Sequence, residues 1–135
     1  MPEPLQLVSL NHFGRQTRDI EKAKRFYRDV LGFRDIERPP FPTPGAWLYN
    51  CGLQVHLIDV DEYSSEPAPR DPINLRENHL AFAVADIEAM EQRLKDHGIV
   101  YEHAVIPERN TPQLFFRDPD GWLIEVGRYD FPIDR

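Results

Sequence analysis

The chain has 135 residues, of which 41% are hydrophobic and 11% aromatic, and this is enough apolar material to fill one core and to exclude a disordered chain. Its 16 Lys and Arg residues stand against 23 Asp and Glu residues, and the resulting net charge of −7 repels nucleic acids and anionic lipid, so we expect neither as a partner. No apolar run approaches the roughly 20 residues that cross a bilayer, and the lone Cys51 together with an N-terminus lacking a signal-peptide pattern favours the cytoplasm.

An internal repeat organises the sequence, because the chain matches itself at an offset of about 67 residues. The matches occur in the same order in both halves. The corresponding segments are His12 and His79, Asp19-Ile20 and Asp86-Ile87, Gly32-Phe33 and Gly98-Ile99, and finally Gly52–Leu57 and Gly121–Val126. This alignment makes His56 in the first half equivalent to Glu125 in the second.

The first half is predicted to fold as a strand, a helix and three more strands. Asp19 suits a helix start and Gly32 a helix stop, and the apolar residues between them recur at helical spacing. The stretch Pro39–Pro44 must be a loop, since proline lacks the backbone donor that a central strand needs. The predicted strands are Gln6–Gly14, Phe33–Glu37, Ala46–Asn50 and Gln54–Asp59.

The second half repeats this order after a connection between Val60 and Leu75 that contains Pro67, Pro69 and Pro72. Its helix is predicted to run from Asp86 to Gly98, and Asp118–Gly121 reads as a tight turn. Its strands are predicted at Asn78–Ala85, Val100–Val105, Gln113–Arg117 and Leu123–Arg128. The fold class is therefore α+β, with residues 1–135 forming one domain of two βαβββ modules, at about 6–60 and 76–130, joined by a linker at 61–75.

Four side chains at equivalent points of the two halves are candidate ligands of one divalent metal ion: His12, His56, His79 and Glu125. One residue from each of four strands can point to a common axis when a repeated sheet curls. Imidazole and carboxylate groups suit zinc, nickel, cobalt, manganese or iron(II). Glu125 also stands alone in an apolar strand, where burial without a partner is costly. Gln54, on the same face as His56, is an alternative fourth ligand.

The motifs resemble the vicinal oxygen chelate superfamily, which includes glyoxalase I, extradiol dioxygenases and fosfomycin-modifying transferases. The segments that carry the resemblance are Leu10–His12, Phe26–Phe33, Asn78-His79 and Asp118–Glu125, and Gly45–Leu48, Val55–Leu57 and Gln113–Phe116 resemble the short glyoxalase I-like proteins. The resemblance implies a cupped, partly open mixed sheet with the metal between the modules. It also implies a homodimer, in many relatives with exchanged modules, so that His12 and His56 of one chain would meet His79 and Glu125 of the other.

For activity, the resemblance implies a lyase that acts on a small molecule, with Glu125 moving a proton between adjacent carbons of a hemithioacetal as general base and then acid. Candidate substrate contacts are Trp47, Tyr49, Gln113 and Phe115. Arg15, Arg109 and Arg117 could contact an anion, although a surface role is the simpler interpretation.

One departure keeps other activities open, because glyoxalase I usually has a glutamate where this chain has His56. Without His56, the remaining residues His12, His79 and Glu125 form the two-histidine, one-carboxylate set of an iron(II) dioxygenase. A fosfomycin-type thiol transferase would use the same set, but Gly14 replaces its expected hydroxyl-bearing residue. Relatives that sequester antibiotics without a metal line their cleft with aromatic side chains, and Trp47, Tyr49, Phe115 and Trp122 could serve that purpose.

Overall fold

The chain repeats the order strand, helix and three strands in two compact units, residues 1–62 and 63–135. The computed structural model describes residues 1–64, 72–107 and 110–129. The first unit contains β1 (His12–Thr17), α1 (Ile20–Asp29), β2 (Arg34–Ile36), β3 (Gly45–Asn50) and β4 (Leu53–Asp59). The second contains β5 (His79–Ala83), α2 (Ile87–Asp96), β6 (Tyr101–Ile106), β7 (Thr111–Arg117) and β8 (Leu123–Gly127).

Each unit forms an open four-stranded mixed sheet, and the two strand orders, β1-β4-β3-β2 and β5-β8-β7-β6, are equivalent. The first strand of each unit pairs in parallel with the last strand, and the other neighbours are antiparallel. A parallel pair needs a long crossover, which the helix and the intervening strands provide. The predicted α+β class with two βαβββ modules is confirmed.

The strand register confirms the repeat residue by residue. In the first sheet Gly14 pairs with His56, which pairs with Trp47 in β3. In the second sheet Ala81 pairs with Glu125, which pairs with Phe115 in β7. His12 and His79 lie two residues before Gly14 and Ala81 in their strands, and therefore occupy equivalent positions on equivalent faces.

Both helices begin and end where the sequence predicts. The side chain of Asp19 accepts a hydrogen bond from the backbone amide of Lys22 at the start of α1, and Asp86 accepts one from Ala89 at the start of α2. Gly32 and Gly98, just after the helices, have φ angles of +72° and +67°.

One face of each sheet forms the core, and the opposite face carries the candidate site residues. In the first unit α1 places Tyr27 against the face of Leu48 and Val55, whereas His56 points to the other face. In the second unit α2 packs against β7, and Leu114 is fully buried. In the first unit, alternation along the strands therefore separates packing from the candidate chemistry, whereas β8 of the second unit is buried on both faces.

The largest difference from the sequence prediction concerns the first strand, which begins at His12 and not at Gln6. Strand β1 has its partner in β4 only from His12 to Thr17, and the apolar residues Leu5 to Leu10 are exposed. Periodicity alone could not show where the partner strand begins. The other strand bounds agree with the prediction or differ from it by at most two residues.

Some predictions fall outside the described residues: residues 65–71 of the connection, including Pro67 and Pro69, as well as Arg109 and the end of the second module after 129. Within the described ranges, no helix is both long and apolar enough to span a membrane.

Candidate metal centre

The second unit brings His79 and Glu125 together. Strand β8 carries Glu125 inward, where its side chain is only 8% exposed, and the parallel neighbour β5 begins with His79. Nε2 of His79 lies 3.2 Å from Oε1 of Glu125. The imidazole ring also makes an edge contact with Phe115, at a centroid distance of 5.8 Å. A histidine and a nearly buried carboxylate thus share one face of the sheet.

The hydrogen bond at the other ring nitrogen of His79 determines what this pair can bind. Nδ1 donates to the carbonyl oxygen of Glu77 at 2.8 Å, since a carbonyl can only accept. In the neutral ring, Nε2 then carries a lone pair that faces the carboxylate, and two acceptors at that distance need a positive charge between them. A second proton or a metal ion would supply it. Two ligands, each about 2.0–2.1 Å from one ion, lie about 3–3.4 Å apart, which fits the observed separation.

The second carboxylate oxygen of Glu125 is held by two further side chains. The amide of Gln113 donates to Oε2 at 3.0 Å, and the hydroxyl of Tyr129 donates to the same oxygen. Burial, followed by the hydrogen bond to Glu125 and the negative charge of that group, raises the pKa of the Tyr129 phenol well above its usual range, so the hydroxyl stays protonated. Only Oε1 of Glu125 therefore remains directed at His79.

Tyr129 reaches Glu125 because Gly127 has no side chain. A Cβ at Gly127 would lie 2.9 Å from both Cζ and Oη of Tyr129, closer than side chains approach one another. The ring of Tyr129 thus folds back over the last residue of β8. A glycine inside a strand often marks such a close approach.

Glu77, whose carbonyl orients His79, is itself fixed by Arg117. The guanidinium of Arg117 binds the carboxylate of Glu77 with two hydrogen bonds, at 2.6 and 2.8 Å, and donates to the carbonyl of Gly121 at 3.0 Å. Both side chains of the pair are largely buried. Arg117, a possible anion contact in the sequence analysis, therefore has an internal partner and supports the segment before His79.

The first unit brings His12 and His56 together in a stack with Trp47. The two imidazole rings lie 3.9 Å apart with 14° between their planes, and the indole of Trp47 covers the other side of His56 at 3.9 Å and 5°. Nδ1 of His12 bonds Oδ1 of Asn11 at 2.8 Å, which leaves the lone pair of His12 on Nε2. Nε2 of His56 bonds Oε1 of Gln54, also at 2.8 Å.

This stacked arrangement fits a metal less directly than the pair in the second unit. Nearly parallel rings send their in-plane lone pairs along separate planes, so one ring must rotate before His12 and His56 can reach the same ion. Burial first, and then the charges of His12 and Arg38, lower the pKa of His56, which keeps the ring neutral as a ligand must be. Gln54, the alternative fourth ligand, serves here as the partner of His56.

The predicted set of four ligands is present as two pairs, one in each unit. Among residues 1–64, 72–107 and 110–129, no group of three or more His, Cys, Asp or Glu side chains is close enough to hold a metal ion. Of the predicted substrate contacts, Trp47 stacks on His56 and Gln113 binds Glu125, as described above. Tyr49 lies under the guanidinium of Arg34, at 5.0 Å, and Phe115 is buried beside His79.

Three residues next to these pairs were not predicted from the sequence: Tyr129, Glu77 and Arg38. Gly127 at the end of a strand was a signal for Tyr129. Glu77 acts through its backbone carbonyl, which every residue has, and Arg38 lies in the proline-rich loop, which has no periodic pattern. The other two histidines, His97 at the end of α2 and His103 on β6, lie outside both pairs.

The sequence profile of the Glyoxalase/Bleomycin resistance protein/Dioxygenase superfamily matches residues 9–126, and the chain belongs to this superfamily. Glyoxylase I 4 of Arabidopsis thaliana is 38% identical over 130 residues, which cover 94% of this chain and 74% of that protein. Glutathione transferase FosA of Serratia marcescens is 30% identical over 125 residues, which cover 89% and 80%. The crystal structure of the fosfomycin resistance protein FosX from Listeria monocytogenes shares the fold, with a TM-score of 0.74 at 17% identity over 91% of this chain and 94% of that one.

Proposed function

We propose that the chain is a divalent-metal-dependent enzyme of the glyoxalase I type, which isomerises a hemithioacetal or a related small molecule with two neighbouring oxygens. The observation that carries this proposal is the pair of lone-pair donors formed by Nε2 of His79 and Oε1 of Glu125. The register repeats these positions as His12 and His56 in the first unit. The four residues would hold one ion: zinc, nickel, cobalt, manganese or iron(II).

When bound, the ion would supply Lewis-acid stabilisation of the charge that develops on the substrate oxygens. The chain's own residues would do the rest. Glu125 would take the proton from one carbon and return it to the adjacent carbon. Gln113 and Tyr129 hold Oε2 of Glu125 and so fix the plane of the carboxylate, while the carbonyl of Glu77 keeps Nε2 of His79 directed at it.

The substrate would contact the face of each sheet that bears the candidate ligands. Trp47 and Tyr49 alternate with core residues on β3 and lie on the face of His56, and Phe115 shares the face of Glu125. Aromatic rings offer an apolar surface for the body of a small molecule.

Elemental analysis of the metal-replete protein tests the centre directly. We expect about one divalent ion per chain, a strong loss in His79→Ala, and no loss in His103→Ala, which removes an exposed histidine from the same unit. Zinc, nickel or cobalt would support isomerase chemistry, whereas iron would favour oxygenation. A replete protein that holds no metal would overturn the proposal.

Turnover of methylglyoxal with glutathione, followed by the absorbance of the thioester product, tests the reaction. Glu125→Gln retains the shape of the side chain but cannot act as a base, and we expect it to lower kcat by about 10²–10⁴-fold. The same variant should still fold, because the amide can keep its contacts with Gln113 and Tyr129. An unchanged kcat would exclude Glu125 as the base.

The hydrogen bond between His56 and Gln54, together with the stack on Trp47, favours a second candidate. If His56 stays engaged there, the ligands reduce to His12, His79 and Glu125, the set expected for an iron(II) dioxygenase or a fosfomycin-type thiol transferase. His56→Ala then leaves metal affinity unchanged. Catechol under oxygen, and fosfomycin with a thiol, separate these two activities, and inactivity in all assays without bound metal would indicate a binding protein.

The family resemblance further supports a homodimer that shares its sites between chains. Mixing His12→Ala with Glu125→Gln tests this arrangement. With exchanged modules, half of the sites in a mixed dimer combine an intact His12 with an intact Glu125, so activity returns. With sites confined to one chain, every site keeps one defect and the mixture stays inactive.

A further inference from the structure

Arg38 has an unusual environment for an arginine in a chain with more acidic than basic residues. Its Nη2 donates to the carbonyl of Thr43 at 2.7 Å, and its guanidinium lies over the ring of Phe41 at 5.1 Å. Its Nε is enclosed without a hydrogen-bond acceptor. No Asp or Glu side chain in the described part of the chain forms an ion pair with Arg38. Among the described residues, the charge of Arg38 therefore has no carboxylate within ion-pair distance.

The loop and the sheet together hold this guanidinium beside the candidate centre. Gly45, the first residue of β3, lies on the same face as Trp47, and a Cβ at Gly45 would meet Nη2 of Arg38 at 3.1 Å. Arg38 thus covers the gap that Gly45 leaves. Trp47, the next residue along this face of β3, stacks on His56 at 3.9 Å, so the guanidinium lies beside this stack.

In the second unit, the position equivalent to Gly45 carries a side chain that binds a carboxylate. The residue equivalent to Gly45 by register is Gln113, two residues before Phe115 as Gly45 is two residues before Trp47. Gln113 turns toward Glu125 and donates to its carboxylate. In the first unit the guanidinium of Arg38 covers the same position, but the residue equivalent to Glu125 is His56, so this part of the sheet provides no carboxylate for the guanidinium.

We infer that Arg38, Phe41 and Trp47 form an oxyanion-binding subsite beside His12 and His56, and that the substrate carries a carboxylate or a similar oxyanion on an apolar body. The planar guanidinium matches a carboxylate with paired donors. The rings of Phe41 and Trp47, 5.9 Å apart, offer the adjoining apolar surface. The statement about the substrate rests on the proposed function, whereas anion binding by Arg38 does not.

Benzoate and benzamide form a matched pair of probes, because they share their shape and differ in charge. Each is titrated into the metal-free protein, and the indole N–H of Trp47 and the Nε–H of Arg38 are followed by NMR. We expect benzoate to move both signals and to bind at least about tenfold more tightly than benzamide, as a charge-assisted hydrogen bond implies. Movement confined to other residues would overturn the subsite.

Two variants test the assignment to Arg38. Arg38→Gln should weaken benzoate by about tenfold or more and leave benzamide unchanged. Arg25→Gln, which removes an exposed arginine from α1, makes the same change in net charge and should alter benzoate affinity by less than about twofold. Equal losses in the two variants would reduce the effect to general charge. Because no metal is present, a failed metal centre leaves this result unaffected.

Discussion

Replacing Gly127 with alanine is expected to destabilise the protein, although this change in a strand normally stabilises it. The new Cβ would lie 2.9 Å from Cζ and Oη of Tyr129, so the ring must swing away from Glu125. The lost charge-assisted hydrogen bond costs about 1.5–3 kcal/mol. The reduced backbone entropy of the unfolded chain offsets about 0.5–1 kcal/mol of that cost. We therefore expect a net loss of about 0.5–2.5 kcal/mol.

Urea unfolding of the metal-free protein measures this change. In a Tyr129→Ala background there is no ring to displace, so alanine at Gly127 should be neutral or stabilising, and the two substitutions should be non-additive by more than about 1 kcal/mol. Gly14→Ala is a matched control in β1, since its Cβ would make only ordinary contacts, the nearest at 3.4 Å. A Gly127→Ala protein as stable as the parent, or additive with Tyr129→Ala, would refute this account.

Three further outcomes are expected. The pKa of His56 is lowered in the folded protein, so its neutral ring contributes stability above pH 6.5 that is lost as the pH falls toward the folded-state pKa. His56→Gln lacks this ring, and its free energy of unfolding should therefore decline less between pH 7 and 5 than that of the parent protein. Arg117→Ala leaves the carboxylate of Glu77 buried without this guanidinium and should lower the free energy of unfolding in urea by about 3 kcal/mol. A loss below about 1 kcal/mol would contradict a buried ion pair. Cys51 has a φ of +45° in the β3–β4 hairpin before Gly52, a conformation that asparagine adopts more readily than most residues. Cys51→Asn should therefore raise the melting temperature, and a decrease would show that the thiol stabilises the turn.

The repeat was the most informative feature of the sequence, because it predicted both the order of the helix and strands along each half and the positions that are equivalent between the halves. Matching His12 with His79, and His56 with Glu125, placed these side chains at the same register positions that the sheets show. The helix caps were also predictable, since capping depends on local chemistry at Asp19 and Asp86.

The surroundings of the candidate site could not be predicted, because they depend on contacts between distant segments. Arg117 and Glu77 lie 40 residues apart, and no local pattern joins them. The position of Arg38 depends on the path of a proline-rich loop and on the space above Gly45. Hydrophobic periodicity reports which face of an element is buried, but not which polar groups meet there.

The shared register of His56 and Glu125 has a consequence for how such a protein can diversify. A duplicated module gives natural selection two copies of one position, and a change of side chain in one copy leaves the backbone pairing of the other intact. Replacing His56 with a carboxylate residue, for example, would change the net charge beside His12, while Glu125 would keep its hydrogen bonds with Gln113 and Tyr129. One copy can thus keep its side chain and its contacts while the side chain of the other copy changes.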